Sequence, residues 1–226
     1  MEDLEGKVVF ITGSSIGIGR EDAYKFSEEG CKVVITYYRD RKEAEEVSKE
    51  CLKLGASETL VIQLDVMDNK SIKEAVKQAA GKFKKIDILV NNAGIVVWKK
   101  LKDQSRDEIE EQVRTNLEGM IKMTKECLPY VTDKIINMAS GAGLEGYAEL
   151  TTYCASKWGV RGFTKALAEE LPGIRVYAIN PGAIATRMND FKGMPPEKVA
   201  QVILDVARGK YNLESGSDVN IWDYAR

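Results

Sequence analysis

The chain has 226 residues, of which 44% are hydrophobic and 30% are charged, and its formal net charge at pH 7 is −2. These values are typical of a soluble protein with a full hydrophobic core, and the lack of a basic tract argues against nucleic acid as a partner. The sequence contains no histidine, which excludes Ser-His-Asp and Cys-His catalysis and most zinc sites.

The sequence also bears on location and on redox state. No apolar run approaches the roughly 20 residues of a membrane-spanning helix. The acidic start MEDLEGK is not typical of a signal or transit peptide, and the four cysteines lack C-x-x-C spacing. We therefore expect a cytoplasmic protein with free thiols, no membrane association and no bound metal.

Short apolar segments rich in valine and isoleucine alternate with helix-length segments along the chain. Near-continuous apolar strands are typical of a parallel sheet that is covered on both faces, and their alternation with helices predicts βαβ units. We predict an α/β fold in one domain, residues 1–226, with a doubly wound, parallel, seven-stranded sheet and helices on both faces. The predicted strands are residues 8–11, 33–36, 60–64, 86–90, 134–138, 175–179 and 218–222.

Local signals predict where several helices begin and end. Gly30 and Gly55 follow helical segments, where glycine commonly closes the last turn. Ser71 and Glu74 have the spacing of a capping box. A last helix is predicted over residues 197–208.

Glycines dominate the turn between the first predicted strand and the first helix. Gly13, Gly17 and Gly19 lie in the segment TGSSIGIG, where the backbone can approach a phosphate closely and a helix N-terminus attracts the anion. The spacing differs from the common G-x-G-x-x-G pattern, and a tight turn without a ligand is the alternative. Residues 65–66 and 91–94 follow the third and fourth strands, at the sheet edge where ligands bind in open α/β folds.

Tyr153 and Lys157 are four residues apart in TYCASK, and Ser140 precedes them. On a helix this spacing places both side chains on one face. A lysine beside a tyrosine favours the phenolate, so we expect the pKa of Tyr153 to fall below its usual value of about 10. Tyr153 is then a candidate general acid/base near neutral pH, although the spacing also occurs by chance on amphipathic helices. Together with a nucleotide-binding turn, this pair predicts redox chemistry.

These motifs, in their order and spacing, resemble the short-chain dehydrogenase/reductase family, in particular its 3-oxoacyl-ACP reductase and carbonyl reductase members. The resemblance spans about residue 6 to about residue 188 and rests on TGSSIGIG, NNAG, Asn116, Ser140, YCASK, Pro181, Gly182 and Thr186. It implies a Rossmann fold and hydride transfer between a nicotinamide cofactor and a small-molecule carbonyl or alcohol substrate.

The resemblance also implies a role for each matching position. Tyr153 is the expected acid/base, Ser140 binds the substrate oxygen, Lys157 binds the nicotinamide ribose, and Asn116 anchors a water-linked proton relay. Taken alone, Ser140 is equally a strand-end cap and Asn116 a helix kink. The expected cofactor-binding residues are Gly13, Ser15, Ile16, Gly17, Ile18, Gly19, Tyr38, Arg39, Asp65, Val66, Asn92, Ala93, Gly94, Tyr153, Lys157, Pro181, Gly182, Ile184 and Thr186.

The residues after the second strand bear on the choice of cofactor. Relatives that prefer NAD usually carry an acid at position 37, where it binds the ribose hydroxyls and repels a 2′-phosphate. Here the residue is Tyr37, and Arg39 follows. A guanidinium binds phosphate through charge-assisted hydrogen bonds, so we predict NADP(H) in preference to NAD(H). Against this, Ile16 replaces a residue that is often basic in NADP-preferring relatives, Asp40 could rotate into the ribose site, and Arg39 could be a solvated loop charge.

The substrate region departs from the family. Only about ten residues separate Thr186 from the last predicted helix, which indicates an exposed site. Relatives commonly pair through two long helices, here about residues 106–128 and 152–170, so we expect a homo-oligomer, either a dimer or a tetramer. The expected apolar walls of the substrate pocket are Trp98, Ala142, Leu144, Tyr147, Met188 and Phe191.

Two other functions stay open at this point. One is an NAD-dependent sugar or alcohol dehydrogenase, and the other is a non-catalytic nucleotide-binding regulator on the same fold. The complete set of Asn116, Ser140, Tyr153 and Lys157 argues against the regulator, because binding alone requires no acid/base.

Overall fold

The computed structural model describes residues 1–225 and contains one seven-stranded sheet in which every neighbouring pair of strands is parallel. The strands are β1 (Val8–Ile11), β2 (Lys32–Tyr37), β3 (Glu58–Gln63), β4 (Ile86–Asn91), β5 (Val131–Met138), β6 (Arg175–Asn180) and β7 (Asp218–Asn220). Their order across the sheet is β3-β2-β1-β4-β5-β6-β7. The chain adds β2 and β3 on one side of β1 and then returns to add β4 to β7 on the other side. This reversal defines a doubly wound sheet and leaves a crevice between β1 and β4.

Helices connect the strands on both sides of the sheet. They are α1 (Gly17–Glu28), α2 (Arg41–Leu54), α3 (Asn69–Phe83), α4 (Arg106–Val113), α5 (Met120–Cys127), α6 (Thr151–Glu170), α7 (Pro196–Ala207) and α8 (Ile221–Tyr224). A π-helical turn, Arg114–Gly119, joins α4 to α5 without a break. Short 3₁₀ turns occur at Leu101–Asp103, Gly141–Gly143 and Arg187–Asn189.

Two hydrophobic cores, one on each face of the sheet, explain the apolar strands. Successive strand side chains point to opposite faces. On one face Val9 packs with Phe26 of α1 and Ile203 of α7, and on the other Phe10 packs with Ile72 of α3. Burying a side chain of this size stabilises the fold by about 1.5–3 kcal/mol, so both faces require apolar residues. The predicted fold class is confirmed.

The ends of the first two helices follow the sequence signals in part. Gly55 closes α2 in the left-handed conformation, with φ 118°, as predicted. Gly30 also has a positive φ, but it lies one residue beyond Glu29, which is the C-cap of α1.

Two predictions about element ends are wrong. Asp68, not Ser71, caps α3 by accepting a hydrogen bond from the Lys70 amide, while the Ser71 hydroxyl accepts from the Asp65 amide. Asp68, three residues before Ser71, is therefore the N-cap of α3. The last strand is shorter than the predicted residues 218–222, because α8 begins at Ile221.

Across residues 1–225, none of the helices has the length and apolar character needed to cross a membrane. The same part of the chain holds no cluster of three or more acidic, cysteine or histidine side chains suited to a metal ion. All four cysteines are buried and free.

Candidate active site

A cleft of about 470 Å³ opens at the carboxyl ends of the strands, a volume within the range of small-ligand sites. Its walls come from the turn after β1, the ends of β2 and β3, the loop after β4, the first half of α6 and the segment after β6. The predicted residues that line it are Gly13, Ser15, Ile16, Gly17, Ile18, Tyr38, Asp65, Val66, Asn92, Ala93, Gly94, Tyr153, Lys157, Thr186, Met188 and Phe191.

The glycine turn after β1 has the geometry of an anion cradle. Gly13 and Gly17 have φ values of 65° and 60°, a region that glycine adopts without strain. A Cβ on Gly19 would lie 2.6 Å from the carbonyl oxygen of Gly13, so the chain packs too closely there for a side chain. Ile16, the N-cap of α1, has no side-chain acceptor for the first amides of the helix. Those donors are left for a ligand, and they fit the pyrophosphate of a dinucleotide.

The loop after β4 is tied to this turn. The Thr12 hydroxyl accepts hydrogen bonds from the Asn92 and Ala93 amides, each at 2.9 Å. The Asn92 side chain donates to the carbonyl oxygens of Thr12 and Gly13 at 2.9 and 3.0 Å. Because these bonds cross between adjacent strands, β1 and β4 contribute one continuous wall of the cleft.

The predicted acid/base residues lie together at this end of the sheet. Tyr153 and Lys157 are one turn apart on α6, and both line the cleft. The Lys157 ammonium is buried, 5.6 Å from the centre of the Tyr153 ring, and it donates to the Met138 carbonyl at 2.7 Å. The Ser140 hydroxyl lies beside the Tyr153 phenol and also accepts a hydrogen bond from the Ala142 amide at 3.1 Å. Ser140 thus both caps a turn and faces the phenol.

The expected effect of Lys157 on Tyr153 is wrong for the protein chain by itself. Burial raises the pKa of the Tyr153 phenol above its usual value, and the hydrogen bond with Ser140 offsets this only in part. Burial also lowers the pKa of the Lys157 ammonium to about 8. Desolvation of the phenol therefore decides the direction of the shift, and the Lys157 ammonium, 5.6 Å from the ring centre, does not reverse it.

Asn116 lies in the π-helical turn and holds the loop after β4. Its side-chain oxygen accepts from the Ile95 amide, and its side-chain nitrogen donates to the Ile95 carbonyl, both at 2.8 Å. A Cβ on Gly94 would lie 3.2 Å from the Asn116 oxygen and 3.7 Å from the Lys157 nitrogen. Gly94 thus allows Asn116 and Lys157 to approach each other.

At the predicted ribose end of the cleft, the position of Arg39 differs from expectation. The Arg39 guanidinium lies 4.8 Å above the Tyr38 ring, and Tyr38 lines the cleft whereas Arg39 does not. The Asp40 carboxylate accepts from the Glu43 amide and caps α2, so it is not rotated toward the cleft.

Several predicted residues lie outside the lining of the cleft. Trp98 and Tyr147 are about half exposed, and Ala142 is buried against Leu150 and Cys154. Ile184 is likewise buried, in the core on the α1 side of the sheet. The full set outside the lining is Gly19, Arg39, Trp98, Asn116, Ser140, Ala142, Leu144, Tyr147, Pro181, Gly182 and Ile184.

The cleft also contains residues that the sequence analysis missed. Arg20 follows the glycine turn, and Arg187 follows Thr186. Glu111 and Thr115 precede Asn116 and are four residues apart from each other. This spacing places them on one helix face and is the signal that would have found them. The lining residues that were not predicted as site residues are Arg20, Tyr37, Leu64, Met67, Ile95, Glu111, Thr115, Met138, Ala139, Ala185, Arg187 and Pro196.

Known proteins are similar to this chain in both sequence and architecture. The profile of the family described as short chain dehydrogenase matches residues 7–195. The protein named "Uncharacterized oxidoreductase YhdF" of Bacillus subtilis is 38% identical, over 92% of this chain and 73% of that protein. The 3-oxoacyl-[acyl-carrier-protein] reductase FabG of Thermotoga maritima is 34% identical, over 96% of this chain and 97% of that protein. A short chain dehydrogenase from Burkholderia cenocepacia, solved in complex with NADP, has 28% identity and a TM-score of 0.90 over 97% of both chains.

The profile match covers most of the chain and includes the glycine turn, the loop after β4 and the Tyr153–Lys157 pair. The doubly wound topology and the position of the cleft agree with it. The chain therefore belongs to the short-chain dehydrogenase/reductase family of NAD(P)-dependent oxidoreductases.

Proposed function

We propose that this enzyme reduces a small carbonyl compound with NADPH and that Tyr153 is its general acid. One observation carries the proposal: the partly buried phenol of Tyr153 and the buried ammonium of Lys157 lie one turn apart on α6, in a cleft whose opposite wall is the glycine turn. A protein that only binds a nucleotide has no use for such a pair.

The chemistry at the substrate oxygen is assigned to two side chains. When bound in the cleft, a reduced nicotinamide supplies hydride to the carbonyl carbon. Tyr153 donates its phenolic proton to the carbonyl oxygen, and the raised pKa of the phenol keeps this proton in place until charge develops on that oxygen. The Ser140 hydroxyl donates a hydrogen bond to the same oxygen. Alcohol oxidation uses the same groups in reverse.

Lys157 and Asn116 are proposed to support the Tyr153 phenol by binding the cofactor and by returning a proton. The Lys157 ammonium binds the ribose hydroxyls of the cofactor, and a pKa of about 8 leaves it mostly charged at neutral pH. Asn116, which is held by two hydrogen bonds to Ile95, anchors the water-linked relay that returns a proton through Lys157.

The preference for NADPH is supported by the residues at the end of β2. Tyr37 replaces the acid that would bind ribose hydroxyls, and the Asp40 carboxylate is occupied as the cap of α2. A structural relative holds NADP. The alternative, an NAD-dependent sugar or alcohol dehydrogenase, is favoured by the Asp40 carboxylate at the start of α2, which would repel a 2′-phosphate.

A substitution at Arg39 tests this preference. Arg39 stacks on the cleft residue Tyr38 but does not itself line the cleft, and we propose that its guanidinium reaches the 2′-phosphate of a bound NADPH. Arg39→Ala should therefore raise the dissociation constant of NADPH by about tenfold while that of NADH changes little. Titration of each cofactor into the protein, followed by nucleotide fluorescence, measures both constants. Equal changes for the two cofactors would contradict the assignment.

The substrate is proposed to be an uncharged or bulky carbonyl compound bound at an open mouth. Met188 and Phe191 line the cleft and are 44% and 69% exposed. For assembly, α4, α5 and α6 carry the exposed apolar residues Val113, Ile121 and Trp158, and we place a homo-oligomeric contact on this face.

The central test is loss of NADPH absorbance with a panel of carbonyl compounds: a β-keto ester, a diketone, an aromatic aldehyde and an acyl thioester. Tyr153→Phe should retain NADPH binding but lose about 10²–10⁴-fold in turnover, the usual contribution of a positioned acid. Tyr130→Phe removes an exposed phenol away from the cleft and should leave turnover unchanged. Retained turnover in Tyr153→Phe would mean that another group supplies the proton.

A further inference from the structure

A short segment after β6 closes over the glycine turn, and we call residues 185–193 the strap. Its two ends are joined, because the Ala185 amide donates to the Met194 carbonyl and the Met194 amide donates to the Ala183 carbonyl, each at 2.9 Å. A Cβ on Gly17 would lie 3.5 Å from the Thr186 methyl group. The strap therefore lies directly against the start of α1, where phosphate is expected.

One side chain of the strap crosses to the opposite lip of the cleft. The Arg187 guanidinium donates to the Glu43 carboxylate at 2.6 Å. Glu43 is in the first turn of α2, and Arg187 lines the cleft. The ion pair thus spans the opening between the strap and the ribose end of the cleft.

This ion pair is suited to exchange. The other arginine of the cleft, Arg20, donates through two nitrogens to the neighbouring Glu21 at 2.9 and 2.7 Å. Arg187 uses one nitrogen, and its side chain is 62% exposed. A single exposed ion pair contributes little stability, whereas an arginine that faces a phosphate forms strong, often paired hydrogen bonds. A phosphate in the cleft would therefore compete well with Glu43.

We infer that Arg187 is an anion ligand of the cofactor cleft and that Glu43 is its resting partner. On binding, the guanidinium exchanges the Glu43 carboxylate for a phosphate group of the dinucleotide, either the pyrophosphate or the 2′-phosphate. This inference rests on the proposed function, because it requires a nicotinamide dinucleotide in the cleft. It makes Glu43 a competitor of the cofactor, so the two members of one ion pair have opposite effects on affinity.

The test is a set of dissociation constants for NADPH and NADH, measured by fluorescence titration on the full chain. Arg187→Gln should raise the NADPH constant by about tenfold. Glu43→Gln should lower it, because the guanidinium no longer has a competing partner. The double variant should match Arg187→Gln alone, since Glu43 acts only through Arg187. An effect of Arg187→Gln on NADPH alone identifies the 2′-phosphate as the group bound, and an equal effect on both cofactors identifies the pyrophosphate.

A second ion pair on α2 provides matched controls. Arg41 and Glu45 are 2.8 Å apart and exposed, and neither lines the cleft. Arg41→Gln and Glu45→Gln make the same two changes of charge, both on α2, and should leave both constants unchanged. This separates a direct contact from a general change in net charge.

Three results would overturn the inference. An unchanged constant in Arg187→Gln means that the guanidinium does not meet the cofactor. A weakening by Glu43→Gln equal to that by Arg187→Gln means that the ion pair itself holds the strap in place. A wild-type protein that binds neither dinucleotide overturns both this inference and the proposed function, whereas wild-type binding with unaltered variants overturns this inference alone.

Discussion

Asp22 is a carboxylic acid that the fold places where its ionisation is unfavourable. It is completely buried on α1, one turn beyond the glycine turn, and neither carboxylate oxygen has a hydrogen-bond partner within residues 1–225. An ionised carboxylate without a partner is strongly disfavoured in such a place. Burial accordingly raises the pKa of Asp22 well above its usual range, and the nearby Glu21 raises it further. Burial of Asp22 therefore favours its neutral form in the folded protein.

We expect Asp22→Asn to be more stable than the wild type at neutral pH. The unfolded chain releases the Asp22 proton near pH 4, whereas the folded protein keeps it to higher pH, so wild-type stability falls as the pH rises between these values. The amide does not ionise, and the gain in unfolding free energy should be on the order of 1–3 kcal/mol at neutral pH and shrink toward about pH 4. Urea unfolding across this range measures it, with the exposed Asp103→Asn as control. A gain that does not vary with pH would contradict this account.

Like the burial of Asp22, the surroundings of a site residue depend on the tertiary fold, and this determines which properties of the site could be predicted from the sequence. Tyr153 and Lys157 were found because a four-residue spacing needs only a helix to bring them together. The direction of the Tyr153 pKa could not be found this way, since it depends on burial of α6. Arg39 and Arg187 illustrate the same point for the cofactor. Both follow strands as loop arginines in sequence, and only the folded structure places Arg187 in the lining of the cleft and Arg39 outside it.

At the scale of elements, the π-helical turn between α4 and α5, which contains Asn116, packs closely against its surroundings at its last residue. The turn ends at Gly119, where a Cβ would lie 2.6 Å from the Val66 carbonyl oxygen and 3.0 Å from that of Arg114. Both of these oxygens belong to the backbone, so they cannot easily move aside to make room for a side chain. The absence of a side chain at Gly119 thus allows the turn to pack against the loop after β3, beside the cleft.

Two glycine substitutions with opposite expected signs test this packing. Gly119→Ala should lower the unfolding free energy by about 1–3 kcal/mol, the usual cost of overpacking. Gly162 lies within α6 with open space around its Cβ position, so Gly162→Ala should raise the unfolding free energy by up to about 1 kcal/mol through helix propensity and reduced chain entropy. Urea unfolding of both variants measures the two effects. If both variants change in the same direction, close packing at Gly119 is not what determines the result.

Elements differ in how well local sequence predicts them. The central strands were predicted to within a few residues, because burial from both faces requires an unbroken apolar run. The π-helical turn was not, since residues 106–128 have an ordinary helical pattern and the turn depends on contacts with Ile95 and Val66. The α3 cap was misassigned because Asp68 and Ser71 are both good capping residues, and tertiary contacts directed the Ser71 hydroxyl to Asp65 instead.

At the scale of the whole molecule, the start of the chain is bound to the far part of the sheet. The Glu2 carboxylate accepts hydrogen bonds from Arg175 and Lys134, each at 2.6 Å. Asp133 pairs with both of these cations, and the Lys134 side chain is completely buried. In sequence the first residues are merely acidic. Their partners lie 132 and 173 positions away, and no local pattern connects residues so far apart.

This network predicts how stability responds to acid. The hydrogen bond from Arg175, together with Lys134, lowers the pKa of Glu2 to about 2. Because an unfolded glutamate titrates near pH 4.3, the stabilisation by Glu2 is fully present above about pH 4.3 and is lost as the pH falls toward 2. Glu2→Gln should therefore lower Tm by about 2–4 °C at neutral pH, a modest effect because the carboxylate is partly exposed. The difference from wild type should vanish near pH 2, whereas Glu5→Gln, the same change on an exposed side chain of the same segment, should have little effect at either pH. Thermal unfolding across this range measures it, and a Tm difference that persists unchanged into acid would mean that the Glu2 side chain stabilises the fold by packing rather than by its charge.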